Sequence, residues 1–311
     1  MIGSNTRPSP LAHIDTSFAG YVSRRQAKDS LHMVNGVPDY AFALDYELRT
    51  KLAKIPYFDN ISQKVTDTFV AQEIQKINQQ GLAVGPNQYP EIYEMGKDCA
   101  HKLGIGIPNI FVVYDPTMNA YTIAADDVSP IIVLHSALVE RMSPGELKCV
   151  IAHECGHIHN RHAVYKTIIR VLLDSSGGLV SAANTILMQL WTRAGEITAD
   201  RAAMICADSI EDAISVNKKF LYGAVQNASV EINIDEVRRQ FEETVNNPMK
   251  IMEALTDHPS SVRRILADKE FEECEVLYGW RPDFKKPDTI TRNKAETDER
   301  CKKLVNIFDN K

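Results

Sequence analysis

The stretch His153-Glu154-Cys155-Gly156-His157 limits what this chain can fold into more than any other segment. It spells H-E-x-x-H, in which two imidazoles one helical turn apart reach one metal ion and the glutamate between them meets a metal-bound water. That chemistry requires a helix, and the residues before it supply one. Ser143 reads as the N-cap, Pro144 as the first helical residue, and Glu146 as the partner that completes a capping box. Leu147, Val150, Ile151 and Ile158 then recur at helical spacing as an apolar stripe. His153 and His157 project together on one side of that stripe, with Glu154 near its edge. Cys155 points away and reads as a packed thiol. The pattern predicts metal-assisted hydrolysis with one zinc ion per chain and Glu154 as the base.

Catalytic zinc keeps three protein ligands and one open position. On the same projection His159 and His162 point well away from the ligand side and read as exposed residues at a helix end. Ala163 stands where a third histidine of this helix would be required, so that ligand comes from elsewhere. The candidate is Glu196 in Glu196-Ile197-Thr198-Ala199-Asp200, which opens an Ala-rich, helix-favouring run. Glu196 would bind the metal. Asp200, one turn later, would accept the free ring N–H of a ligand histidine and fix its tautomer. The same spacing equally describes a solvated acidic pair on a surface helix.

HECGH, EITAD and the later Asp257-His258-Pro259-Ser260-Ser261-Val262-Arg263-Arg264-Ile265 together resemble the zinc metallopeptidases that include bacterial HtpX and the CAAX prenyl proteases, over roughly residues 85–268. The resemblance implies an α+β, mainly helical fold: a zincin-like peptidase core with a small β-sheet packed beside the active-site helix. It implies a gluzincin shell of His153, His157 and Glu196, with Glu154 as base. It places His258 or Arg264 near the open side of the metal, where either would steady an oxyanion. His258 also reads as a loop histidine before a proline, and Arg264 as an ion-pairing residue. Asn119, Ala120, Tyr121 and Thr122 resemble the edge strand that pairs with a substrate backbone in such enzymes. By pattern alone they are an ordinary hairpin strand between Ile110–Tyr114 and Ile131–Leu134, with turns at Asp115-Pro116 and Asp126-Asp127.

The membrane-embedded relatives carry spanning helices between the two zinc motifs. Here 38 residues separate His157 from Glu196, and the longest charge-free run, Ser175 to Thr192, has 18 residues of which half are apolar. A spanning helix needs ~20 mostly apolar residues. Lys166, Arg170 and Asp174 interrupt the approach from upstream. The expectation is a helical hairpin over the site, no transmembrane segment, and membrane-surface contact as a secondary reading. Cleavage of prenylated peptides is therefore not carried over.

A net charge of −6 gives no reason to expect nucleic-acid binding. Six cysteines without a C-x-x-C read as free thiols, and Met1 to Ala12 has no apolar core of a signal peptide, so a cytoplasmic protein is expected. The chain divides into a flexible arm (1–37), a helical extension packed on the core (38–84), the peptidase domain (85–279) and a polar tail (280–311) with one short helix ending near Phe308. The partner expected is an extended protein or peptide segment; no feature sets an oligomeric state. The competing reading is a zinc-stabilised, non-cleaving peptide-binding or chaperone-like module. An intact Glu154 and an open metal position count against it.

Overall fold

The structure, a computed structural model, describes residues 32–54, 70–125, 128–175, 182–223, 233–244 and 261–305. It begins with a hairpin inside the expected arm. Strands β1 (Met33–Val34) and β2 (Val37–Pro38) are joined by Asn35-Gly36, both at positive φ, 52° and 78°. Asn-Gly tolerates that left-handed turn. Helix α1 (Ala43–Leu52) buries Leu44, Leu48 and Leu52, one every turn. Residues 70–80 form helix α2 and run directly into strand β3 (Gly81–Ala83). Helix α3 (Pro90–Leu103) starts on its proline and ends on Gly104.

The predicted strands follow as β4 (Asn109–Val113), β5 (Ala120–Ala125) and β6 (Val128–His135). The sheet order is β3-β4-β6-β5, with β4 and β6 parallel and the other pairs antiparallel. Thr122 stands opposite Ile132, and β5 is one of the two outer strands. Helices α4 (Ser136–Arg141), α5 (Pro144–His159), α6 (His162–Ser175), α7 (Ala182–Cys206), α8 (Ile210–Tyr222), α9 (Ile234–Thr244), α10 (Ser261–Glu272), α11 (Glu275–Trp280) and α12 (Lys294–Val305) complete a mainly helical α+β fold. Among the described residues no helix is long and apolar enough to cross a membrane.

Two helices carry the site, α5 and α7, and a glycine sets their approach. A Cβ on Gly156 would lie 2.7 Å from Ala202 Cβ and 3.1 Å from Ala199 Cα. Only hydrogen fits there, so the two backbones close up with small residues between them. Below α5, Leu147, Val150, Ile151, Cys155 and Ile158 enter the main apolar core with Ile132 and Leu134 of the sheet. A second core joins Leu48 and Leu52 of α1 to Trp191 and Ile197 of α7 and to Cys301 and Val305 of α12. The polar tail thus contains a docked helix. Its Asp298 pairs with buried Arg201 of α7 at 2.7 Å, and the Arg201 guanidinium lies against the rings of Phe42 and Phe271.

Candidate active site

The cap of α5 forms as its sequence requires: the Glu146 amide donates to Ser143 Oγ at 3.3 Å and the Ser143 amide to Glu146 Oε2 at 2.7 Å. His153 and His157 then stand one turn apart, facing Glu196 of α7. One ligand atom from each of the three lies within 4.8 Å of the others, and among the described residues this is the one group of His, Cys, Asp and Glu able to hold a metal. His153 Nε2 is 3.4 Å from Glu196 Oε2, and His157 Nε2 is 3.4 Å from Glu196 Oε1. Ligand atoms about 2.0–2.1 Å from a tetrahedral zinc are ~3.4 Å apart, so the donor set fits that ion.

His153 turns Nδ1 to Asp200 Oδ1 at 2.9 Å. Arg264 of α10 grips the same carboxylate with Nε at 2.7 Å and Nη2 at 2.5 Å, while its Nη1 stands 3.9 Å from Glu196. Burial pushes the His153 imidazole down, but its hydrogen bonds to Asp200 and Glu196 and the Asp200 charge outweigh it and hold the group up at about 9. Burial likewise works against ionised Asp200; Arg264 and His153 overcome it and keep the carboxyl below its usual range. Of the two sequence readings of Arg264, the ion pair is the geometry observed. His258 lies outside the described residues.

His157 is supported differently, and here the sequence expectation is corrected. His162, expected to be exposed, is fully buried, with its Nδ1 2.9 Å from His157 Nδ1 and its Nε2 2.8 Å from Asp45 Oδ2 of α1. The projection failed because α5 ends at His159. Arg161 then takes φ 60°, and His162 opens a new helix that turns back on His157. His159 is half-buried, its Nδ1 3.0 Å from the Tyr40 hydroxyl. Lys166, four residues after His162 and so on the same face of α6, places Nζ 2.6 Å from Glu196 Oε1 and 3.3 Å from His157 Nε2. Burial, then the Lys166 charge, push the His157 imidazole well below its ordinary value. The sequence had shown Lys166 only as a charge interrupting an apolar stretch.

Glu154 is buried, and Thr122 of β5 donates to its Oε2 at 2.7 Å. Thr122 was legible as a strand residue, not as the partner of Glu154. A cavity of about 400 Å³ opens over these groups. Asn119, Ala120 and Tyr121, at the outer strand β5, form one wall, and Arg264 lies on another. Val150, Ala203, Val216 and Phe220 add apolar lining.

The sequence pattern of peptidase family M48 matches residues 86–271, more than half of the chain. The chain is 28% identical over 250 residues to the plastoglobule-localized metallopeptidase 48, chloroplastic, of Arabidopsis thaliana, a match covering 76% of this chain and 72% of that one. It is 26% identical over 115 residues to a protease HtpX homolog of Thermoanaerobacter pseudethanolicus, covering 37% of this chain and 38% of the relative. A protease HtpX homolog of Thermococcus sibiricus is 30% identical over 105 residues, 34% of this chain and 35% of the relative. The likeness to the HtpX homologs thus spans little more than a third of their length. With the H-E-x-x-H motif folded into a three-donor shell beside a buried glutamate, the chain belongs to peptidase family M48 and is a metallopeptidase.

Proposed function

We propose that the chain is a zinc-dependent endopeptidase that hydrolyses peptide bonds in extended protein or peptide segments. One observation carries the reading: Glu154, anchored by Thr122, lies beside His153, His157 and Glu196 on a cavity walled by an outer strand. Zinc held by those three residues would supply Lewis acidity and lower the pKa of a bound water toward ~7. Glu154 takes the proton of the attacking water and delivers it to the leaving amine. Its Oε2 accepts from Thr122, which leaves Oε1 for that exchange. A substrate strand adds to the edge at Asn119, Ala120 and Tyr121 through main-chain hydrogen bonds, which tolerate many sequences. Asp200 orients His153 and Arg264 holds Asp200. For the oxyanion the resemblance implies His258 or Arg264, of which Arg264 lines the cavity and also holds Asp200. Residues 85–279 constitute the peptidase domain in this reading. The six cysteines are free and buried, which favours a reducing compartment such as the cytoplasm.

The test is cleavage of an unbiased peptide library by the parent and Glu154→Gln proteins in parallel. The variant should keep its zinc and lose cleavage by on the order of 10²–10⁴-fold, the usual share of a general base. Equal cleavage of a casein-type substrate by both would remove Glu154 from the mechanism. A parent that binds library peptides and cuts none would favour the non-cleaving module.

A further inference from the structure

We propose that Asp45 and His162 form a buried relay that positions the metal ligand His157, so that helix α1, outside the residues matched to the family, completes the metal site. The inference rests on the zinc reading above and adds two residues to it. Asp45 is 117 residues from His162 in sequence and 2.8 Å from it in space.

The hydrogen-bond logic leaves one arrangement. A nitrogen that binds a metal needs its lone pair, so a neutral His157 that ligates through Nε2 carries its proton on Nδ1. That proton points at His162 Nδ1, 2.9 Å away. His162 Nδ1 must then accept, which puts the His162 proton on Nε2. There it donates to Asp45 Oδ2 at 2.8 Å. The opposite tautomer of His162 would set two N–H groups against each other. Asp45 thus decides the tautomer of His162, and His162 decides that of His157.

Further groups pack around the relay. Thr198 Oγ1 donates to the same Asp45 Oδ2 at 2.8 Å and itself accepts from the Phe42 amide at 3.2 Å. The Trp191 ring stands edge-on to His162, with centroids 5.7 Å apart and planes at 83°. Asp45 and His162 are both buried, and a buried carboxylate and imidazole are costly unless paired. An apolar pair would have served for packing alone. What the polar pair adds is control of the ring nitrogen opposite the metal position. Asp200 does this for His153 in one step, whereas His157 receives it in two.

The experiment uses the full chain stripped of metal. Zinc affinity is measured by competition with a chromophoric chelator, alongside thermal unfolding of each metal-free protein. His162→Ala and Asp45→Leu should loosen zinc by about 10–100-fold, the usual effect of losing such a partner. Asp45→Asn, whose amide oxygen still accepts from His162, should lose about three- to tenfold. His162→Gln offers one acceptor and one donor and should recover most of the His162→Ala loss. Thr198→Val lowers stability but leaves both relay bonds, so its zinc affinity should stay within about twofold of the parent. Parent affinity in a folded Asp45→Leu or Asp45→Asn protein overturns the relay. So does a Thr198→Val protein that loosens zinc as much as Asp45→Leu. If Asp45→Leu and His162→Ala do not fold, Asp45→Asn decides: parent affinity overturns the relay, and a loss that exceeds that of Thr198→Val sustains it. A parent that binds no zinc overturns the site reading itself, which is a separate outcome.

Discussion

His153 and His157 are the same residue type on the same helix, the first partly exposed and the second buried, yet the protein supports them in opposite ways. His153 leans on a charged pair, Asp200 with Arg264, and its imidazole is held up at about 9. His157 leans on another imidazole and faces the Lys166 ammonium, and its ring is pushed well below the ordinary value. Burial acts downward on both rings, so the neighbours decide. The supports also differ in origin. Asp200 and Arg264 come from α7 and α10, within the segment matched to the family. On the other side, His162 answers to Asp45 of α1, which precedes that segment.

The comparison can be broken most forcefully on the His153 side. Asp200→Ala would take from the largely enclosed Arg264 the carboxylate it grips and leave it facing Glu196 at 3.9 Å, and removing one partner of a buried pair costs about 3–5 kcal/mol. The metal-free variant should unfold at a clearly lower temperature. Adding Arg264→Met should restore part of that loss, since no charge is then stranded. A double variant no more stable than the single would show that the pair contributes little.

Gly156→Ala addresses both sides at once. Its methyl would meet Ala202 Cβ at 2.7 Å, and overpacking of this kind costs about 1–3 kcal/mol. Because it moves α7 off α5, urea unfolding should shift and zinc affinity should fall through Glu196, which both imidazoles share. Unchanged affinity would mean that the α5–α7 spacing is not what brings Glu196 to the rings.

Lys166→Met acts on His157 and on the shared Glu196. It removes a positive charge 3.3 Å from His157 Nε2 and releases Glu196 Oε1. Zinc should bind tighter by on the order of tenfold, the size of one near-charge effect, as read by chelator competition. Weaker binding would make the lysine a support of the loaded site.

The smallest effect is expected away from both imidazoles, at the cap of α5. Burial works to raise the Glu146 carboxyl, but the Lys219 ammonium, the Ser215 hydroxyl and the Ser143 amide outweigh it and hold it below the ordinary range. A carboxyl lowered in the folded state stabilises above its unfolded pKa, and that contribution disappears as the pH falls through the folded value. Glu146→Gln should therefore cost about 1 kcal/mol at pH 7 and flatten the acid limb of a thermal-unfolding profile. A parallel profile would show that the cap is not linked to acid stability.

What was legible before folding was local. Ser143, Pro144 and Glu146 announced α5, and the spacing of His153 and His157 was enough to place two imidazoles on one side with Glu154 near the edge of the apolar stripe. A short strand at Asn119 to Thr122 was visible between two turns, and it forms at Ala120–Ala125. The spacing of Glu196 and Asp200 showed that one helix would present both, although a solvated pair would have looked identical. The 85–268 resemblance chose between those readings before the geometry did.

The chain by itself determined its elements and their faces, because backbone period and capping are set within a few residues. Tertiary structure decided which faces meet. His162 was misjudged because a helical projection holds only inside one helix, and the chain reverses at Arg161. Thr122 beside Glu154, Lys166 beside Glu196 and Asp45 behind His162 join residues 32, 30 and 117 positions apart. No local period encodes such pairs. They exist because Gly156 lets two helices close up and because a buried polar atom must find its partner wherever the packing puts it.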